Sequence, residues 1–214
     1  MNNTIKNIAL VAMALMSSAL CAQFVNKDDA LLAIKISKQD AFTNKENLMT
    51  QRISVANSDV WYALMNKVKD FVAKNDKDQL KFYDRVLPAA TEILNTLKYI
   101  YNTQVAGAII NPADKEAGIA TWAGKLDPNK LVLDPIKEEL KKIIKAKADL
   151  AATQKSLKDK IFISPGARSA REVLLKLIDA LDEISAKSLQ DYEKLKDSKA
   201  TLVRDAYLQQ QKAA

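Results

Sequence analysis

Residues Ser169–Gln211 run for 43 residues without a glycine or a proline, and their apolar positions recur at helical spacing. Leu174, Leu181, Leu195 and Leu202 stand seven or fourteen apart, and Leu177, Ile178, Ile184 and Tyr192 fill the steps of three and four between them. Such a stretch is one long helix with an apolar seam, and the seam needs partners. At 1.5 Å per residue it would measure about 60 Å, longer than a small domain is wide. Whatever else the chain does, it must supply helices to cover that seam.

The first 22 residues read as a secretory signal peptide and stand outside the fold. Lys6 gives a positive start, Ile8–Met16 an uncharged apolar core too short to span a bilayer as a permanent helix, and Ser17–Ala22 a small-residue cleavage region. Cleavage after Ala22 is preferred to cleavage after Cys21. Read as a lipidation site, Cys21 would anchor the protein, but Leu20 before it is larger than the residue such a site usually carries. The ordinary reading is that the cysteine leaves with the signal. The rest, 23–214, reads as a single extracytoplasmic domain held by packing without disulfides, and no later segment is apolar enough to cross a membrane.

Helical punctuation recurs along this part. Asp28-Asp29 before Ala30–Ile36 suits the start of a first helix over 28–41. Thr43-Asn44-Lys45-Glu46 has the pattern of a capping box, and the stripe Trp61, Leu64, Val68, Phe71 follows to Lys74, with a bend or break expected near Ala56–Asp59. Asp76–Gln79 offers a second capping box. Leu80, Tyr83, Leu87, Ala90, Leu94, Leu97 and Tyr101 then carry a helix that Pro88 is expected to kink. Residues 111–134 are irregular. Within them Leu126-Asp127-Pro128 and Leu133-Asp134-Pro135 read as helix starts, Asp at the cap and Pro in the first position. Ile136, Ile143, Leu150 and Leu157 mark a helix over 135–160, widened by Leu140 and Ile144; Ser169–Glu172 reads as a third capping box opening the last helix. The expected fold is all-α: an elongated antiparallel bundle of four to five main helices with a long C-terminal helix.

The short turn before the last helix makes it an antiparallel neighbour of 135–160. With Ile161 opposite Arg168, Lys147 comes level with Asp182 and within a turn of Asp179 and Glu183, which predicts a charge pair across the seam with one of the three. The competing expectation is that Lys147 extends its stem to water.

Composition excludes more chemistry than it suggests. The chain has no histidine and one cysteine, which removes His- or Cys-built zinc and haem sites and the Ser-His-Asp and Cys-His mechanisms; no cofactor is expected. Four glycines, all near helix ends, form no phosphate-binding loop. Acidic pairs such as Glu138-Glu139 and Asp182-Glu183 lie among lysines and read as solvated faces. An all-α enzyme using arginine and lysine electrostatics would need converging arginines, but Arg52, Arg85, Arg168, Arg171 and Arg204 are scattered.

Net charge is +7, and most of the excess lies in 135–168, with nine basic and four acidic residues. Lys137, Lys141 and Lys145 share a face, with Lys142, Lys155 and Lys158 nearby, a candidate surface for an anionic envelope component. Lysine without interleaved aromatics serves nucleic acid poorly, so no specific nucleic-acid partner is expected. Trp122 in the irregular segment and Leu195, Leu202 and Leu208 beyond the reach of the 135–160 helix are candidate contacts for a protein partner or a second copy of the chain. The lead expectation is a binding or scaffolding bundle without catalysis. A chaperone-like or envelope-surface protein using the lysine helix comes second.

Overall fold

The computed structural model describes residues 24–42, 52–105, 127 and 130–213. Their secondary structure is helical throughout, in an all-α bundle of five main helices. These are α1 (Lys27–Phe42), α2 (Arg52–Asn75), α3 (Leu80–Tyr99), α4 (Leu133–Asp159) and α5 (Pro165–Ala213). A 3₁₀ turn, Lys77–Gln79, links α2 to α3, and a π-helical turn, Ile100–Val105, extends α3. One hydrophobic cluster runs through all five helices, from Ala30 to Leu195.

Direction follows from the cross-helix contacts. Down α4 and up α5, Leu157 and Lys158 meet Arg171, Gln154 meets Asp179, Lys147 meets Asp182 and Leu131 meets Lys199. That is one antiparallel register. Lys27 with Glu172 and Lys38 with Glu183 keep a constant separation of 145 residues, so α1 runs parallel to α5. Tyr62 Oη donating to Asn95 Oδ1 at 2.8 Å sets α2 against α3. Consecutive helices thus alternate up and down, and α5 touches each of the other four. Its buried positions accordingly spread well beyond a two-helix seam, from Ala170, Val173 and Leu174 to Ile184, Ser188 and Leu195.

Local chemistry sets the helix ends, and several differ from the sequence expectation. Helix α1 opens on a reciprocal pair: the Asn26 side chain accepts from Asp29 N (3.0 Å) while the Asp29 carboxylate accepts from Asn26 N (3.2 Å). Helix α2 continues through Ala56–Asp59, so of the bend or break expected there the break does not occur. Asn, Ser and Asp each weaken a helix by well under about 1 kcal/mol, too little to outweigh the packing of Trp61, Leu64, Val68 and Phe71. Helix α3 holds Pro88, the site of the expected kink, within its bounds. The Thr43–Glu46 capping box lies outside the described residues.

At the α2–α3 turn the Asp76 carboxylate accepts from Asp78 N and from Gln79 Nε2, each at 3.0 Å. The reciprocal half of a capping box is missing, because Asp76 N donates to Val72 O and Gln79 reaches the Ala167 carbonyl on α5 at 2.6 Å. Helix α4 starts at Leu133 after an extended Val132, so Asp134 and Pro135 fall inside the first turn instead of at the cap and first position. There Asp134 still opposes the helix dipole, and the N–H that Pro135 lacks would have no intrahelical acceptor. Helix α5 begins at Pro165, before the expected box at Ser169. Ser164 Oγ accepts from Ala167 N at 3.1 Å and Ser164 O from Arg168 N at 3.0 Å, with Pro165 in the first helical position.

Candidate functional site

Helix α4 turns a narrow stripe inward: Ile136, Leu140, Ile143, Ala146, Leu150, Thr153 and Leu157. Everything between these positions is available to solvent, including Ile144, which the sequence placed on the core face and the structure leaves 54% exposed. The reason is crowding: α4 lies mainly on α3 and α5, and one residue in three or four suffices to fill that groove.

The lysines of this helix are not equivalent. Lys141 holds Glu138 (2.6 Å), Lys142 holds Glu139 (2.8 Å) and Lys155 holds Asp159 (3.0 Å), all along the same helix. The Glu139 carboxylate, through its hydrogen bond, keeps the Lys142 ammonium above its usual range. Lys137, Lys145 and Lys158 are exposed and have no ion-pair partner among the described residues. Local pairing therefore weakens the middle of the lysine face. Unopposed positive charge is denser where α4 ends and α5 begins.

Lys147, partly exposed, places Nζ 2.5 Å from Asp182 Oδ1. Asp179 is taken by Gln154 Nε2 at 2.6 Å, and Glu183 by Lys38 of α1 at 3.0 Å. The three carboxylates thus go to three different side chains on two helices, α4 and α1. Gln154, a polar residue on α4, ties α4 to α5 as Lys147 does.

Arg171 closes the end of this hairpin. Its Nε donates to Leu157 O (2.9 Å) and its Nη2 to Lys158 O (3.2 Å), satisfying carbonyls of the last turn of α4 that have no helical donor. Its guanidinium also lies over the Phe162 ring at 5.8 Å, and Lys160 lies between Phe162 (5.5 Å) and Phe82 (5.7 Å). Phe162 is drawn inward by these contacts, but its neighbours are not: Ile161 and Ile163 stand 86% and 85% exposed. The sequence expectation gave neither of them a surface role. Three large apolar residues in succession at a turn, beside several cations, was the signal available.

At the opposite end, Leu195 is fully buried and belongs to the core, so it offers no partner contact; Lys199 Nζ donates to the Leu131 carbonyl just beyond it. From Ala200 the helix passes the start of α4. Val203 and Leu208 are about half exposed, and Arg204 pairs with Asp205. The side chain of Leu202 and the whole of Trp122 lie outside the described residues.

Among the concavities of the described residues, one is lined by Phe24, Lys67, Asp70, Phe71, Ala73 and Lys74, and another is a groove between α3 and α4 with Asp84, Arg85, Asp149 and Ser156 on its walls. Neither gathers like charge. Among the described residues no three metal-ligating side chains come together, and no helix is long and apolar enough to cross a membrane. Compared with protein-family models, curated proteins and solved structures, the chain matches none.

Proposed function

We propose that this chain is a binding or scaffolding module of an extracytoplasmic compartment, acting through its surface and without catalysis. The observation that carries the reading is the closure of the bundle around α5. Four helices cover the central one, the core fills the space between them, and the concavities named above are mixed in charge. An enzyme built on arginine would want free guanidinium groups converging in a cleft, whereas Arg171 is spent on α4 carbonyls and Arg204 on Asp205. A chaperone-like protein would want an open cavity between projecting helices. What this bundle offers a protein partner is its exposed end of α5.

The test is photo-cross-linking of the full chain in cells, with the cross-linker at Val203 or Leu208 and, as a control, at Ala148 on the outer face of α4. Discrete adducts from the first two positions, on a chain protected from protease until the outer envelope is opened, are expected. A chain that stays in the cytoplasm, or adducts no different from those at Ala148, would refute the reading.

A further inference from the structure

The turn joining α4 to α5 holds the two most exposed large apolar side chains among the described residues, Ile161 and Ile163. They are set in a basic surround: between Lys155 and Arg171 the chain carries Lys155, Lys158, Lys160, Arg168 and Arg171 against the single acid Asp159. Lys155 occupies Asp159. Lys81 and Arg85 extend the cationic surface onto α3, over the Phe82 ring at 5.6 and 5.9 Å, although Asp78 and Asp84 lie among them. The N-terminal side of α1 reaches the same end, since Lys27 pairs with Glu172 and Lys67 lies over Phe24 at 5.6 Å; Val25 there is 79% exposed.

We propose that this end of the bundle docks on an anionic lipid bilayer, with Ile161 and Ile163 entering the headgroup region and the surrounding lysines and arginines lying against lipid phosphates. Two side chains on a convex turn make a poor protein interface, which needs a broad complementary patch. Shallow apolar insertion beside a cationic ring is, by contrast, what a charged fluid surface accepts. Because the helices of the described residues cannot cross a bilayer, the contact is peripheral. The proposal goes beyond the binding-module reading and does not rest on it: a protein partner on α5 and a lipid surface at the turn are detected separately.

The test uses the chain from Gln23 onward, which keeps every described residue, with vesicles of phosphatidylcholine alone or mixed equally with phosphatidylglycerol. At 0.1 M salt the protein should float with the mixed vesicles at least tenfold more tightly than with the neutral ones, and should dissociate as salt rises to 0.5 M. The I161S/I163S variant should bind at least tenfold more weakly, about 1.4 kcal/mol, with an unchanged melting temperature because neither side chain is packed. A tryptophan placed by Ile163→Trp should shift its emission to the blue on the mixed vesicles. Failure to bind those vesicles, full binding by I161S/I163S, or no shift from the tryptophan would each overturn the proposal. So would a loss caused by K137E/K141E/K145E that equals or exceeds the loss in I161S/I163S, since the lysine face would then be the contact.

Discussion

Gly166, the second residue of α5, sits against the end of α2. A β-carbon built on it would lie 2.7 Å from the backbone oxygen of Asn75 and 3.5 Å from its carbonyl carbon. Carbon and oxygen do not approach so closely without repulsion, and a separation of about 3.3 Å would require these backbones to part by roughly half an ångström. No flexible side chain can yield instead, because the obstruction is main chain. The neighbourhood is tied as well: Gln79 Nε2 donates to Ala167 O at 2.6 Å, and the Asn75 side-chain Nδ2 donates to Phe71 O at 2.8 Å. Overpacking of this kind costs about 1–3 kcal/mol. Replacing glycine by alanine returns about 0.4–1 kcal/mol through the lower entropy of the unfolded chain and better helix propensity. Gly166→Ala should therefore destabilise by about 1–2 kcal/mol, lowering the melting temperature by roughly 2–8 °C for a domain of this size. Urea unfolding followed by circular dichroism gives the free energy, and an unchanged slope keeps the comparison to stability alone. A variant as stable as the parent, or more stable, would show that α2 and α5 do not meet as closely as described.

Three further outcomes follow from other contacts. Tyr83 is fully buried, its hydroxyl has no hydrogen-bond partner among the described residues, and burial, then the nearby Asp84 and Asp70 carboxylates, push its phenol up to about 12. The unfolded phenol ionises near 10, so stability is intact below that pH and falls between about 10 and 12, by at most about 1.4 kcal/mol per unit. Tyr83→Phe should flatten that alkaline loss and be neutral or mildly stabilising near pH 7; destabilisation by more than about 1 kcal/mol would reveal a partner for the hydroxyl. Arg171→Ala should cost about 1–2 kcal/mol in urea unfolding, since two α4 carbonyls lose a charged donor, and a loss no larger than that of an exposed-lysine control such as Lys158→Ala would contradict its capping role. A double-mutant cycle on Lys147 and Asp182, both partly exposed, should give a coupling under about 1 kcal/mol that shrinks in 0.5 M salt; a coupling above about 2 kcal/mol would mean the pair is better shielded than its exposure indicates.

Helical periodicity made the architecture legible, because spacing at three and four is set by the helix and survives any arrangement of neighbours. Trp61, Leu64, Val68 and Phe71, and the series Ile136, Ile143, Leu150 and Leu157, are core residues on the faces their spacing implies. The antiparallel register of α4 and α5 was legible too, since a five-residue turn fixes how two helices face each other. Starts were harder to place. Ser164 and Ser169 are both plausible caps, and what decides between them is that Ser164 precedes Pro165, whose backbone is already set for a first turn. The exposure of Ile161, Ile163 and Ile144 was hidden for another reason: a sequence records that a residue is apolar, but the number of helices around it decides whether it is covered. Leu195 shows the converse, a residue beyond the expected reach of α4 that the core nevertheless encloses.

Helix α5 also sets a distance. Its 49 residues, at 1.5 Å each, separate the cationic hairpin turn from the far C-terminal end by about 73 Å, and α4 braces the first two-thirds of that length. A long helix bends only gently, so the two ends cannot approach one another. Any two structures held at these ends are kept apart by a strut whose length is written in residue count: adding or deleting a full heptad beyond Lys199 would move the outer end by about 10 Å with nearly the same facing, and leave the bundle as it is.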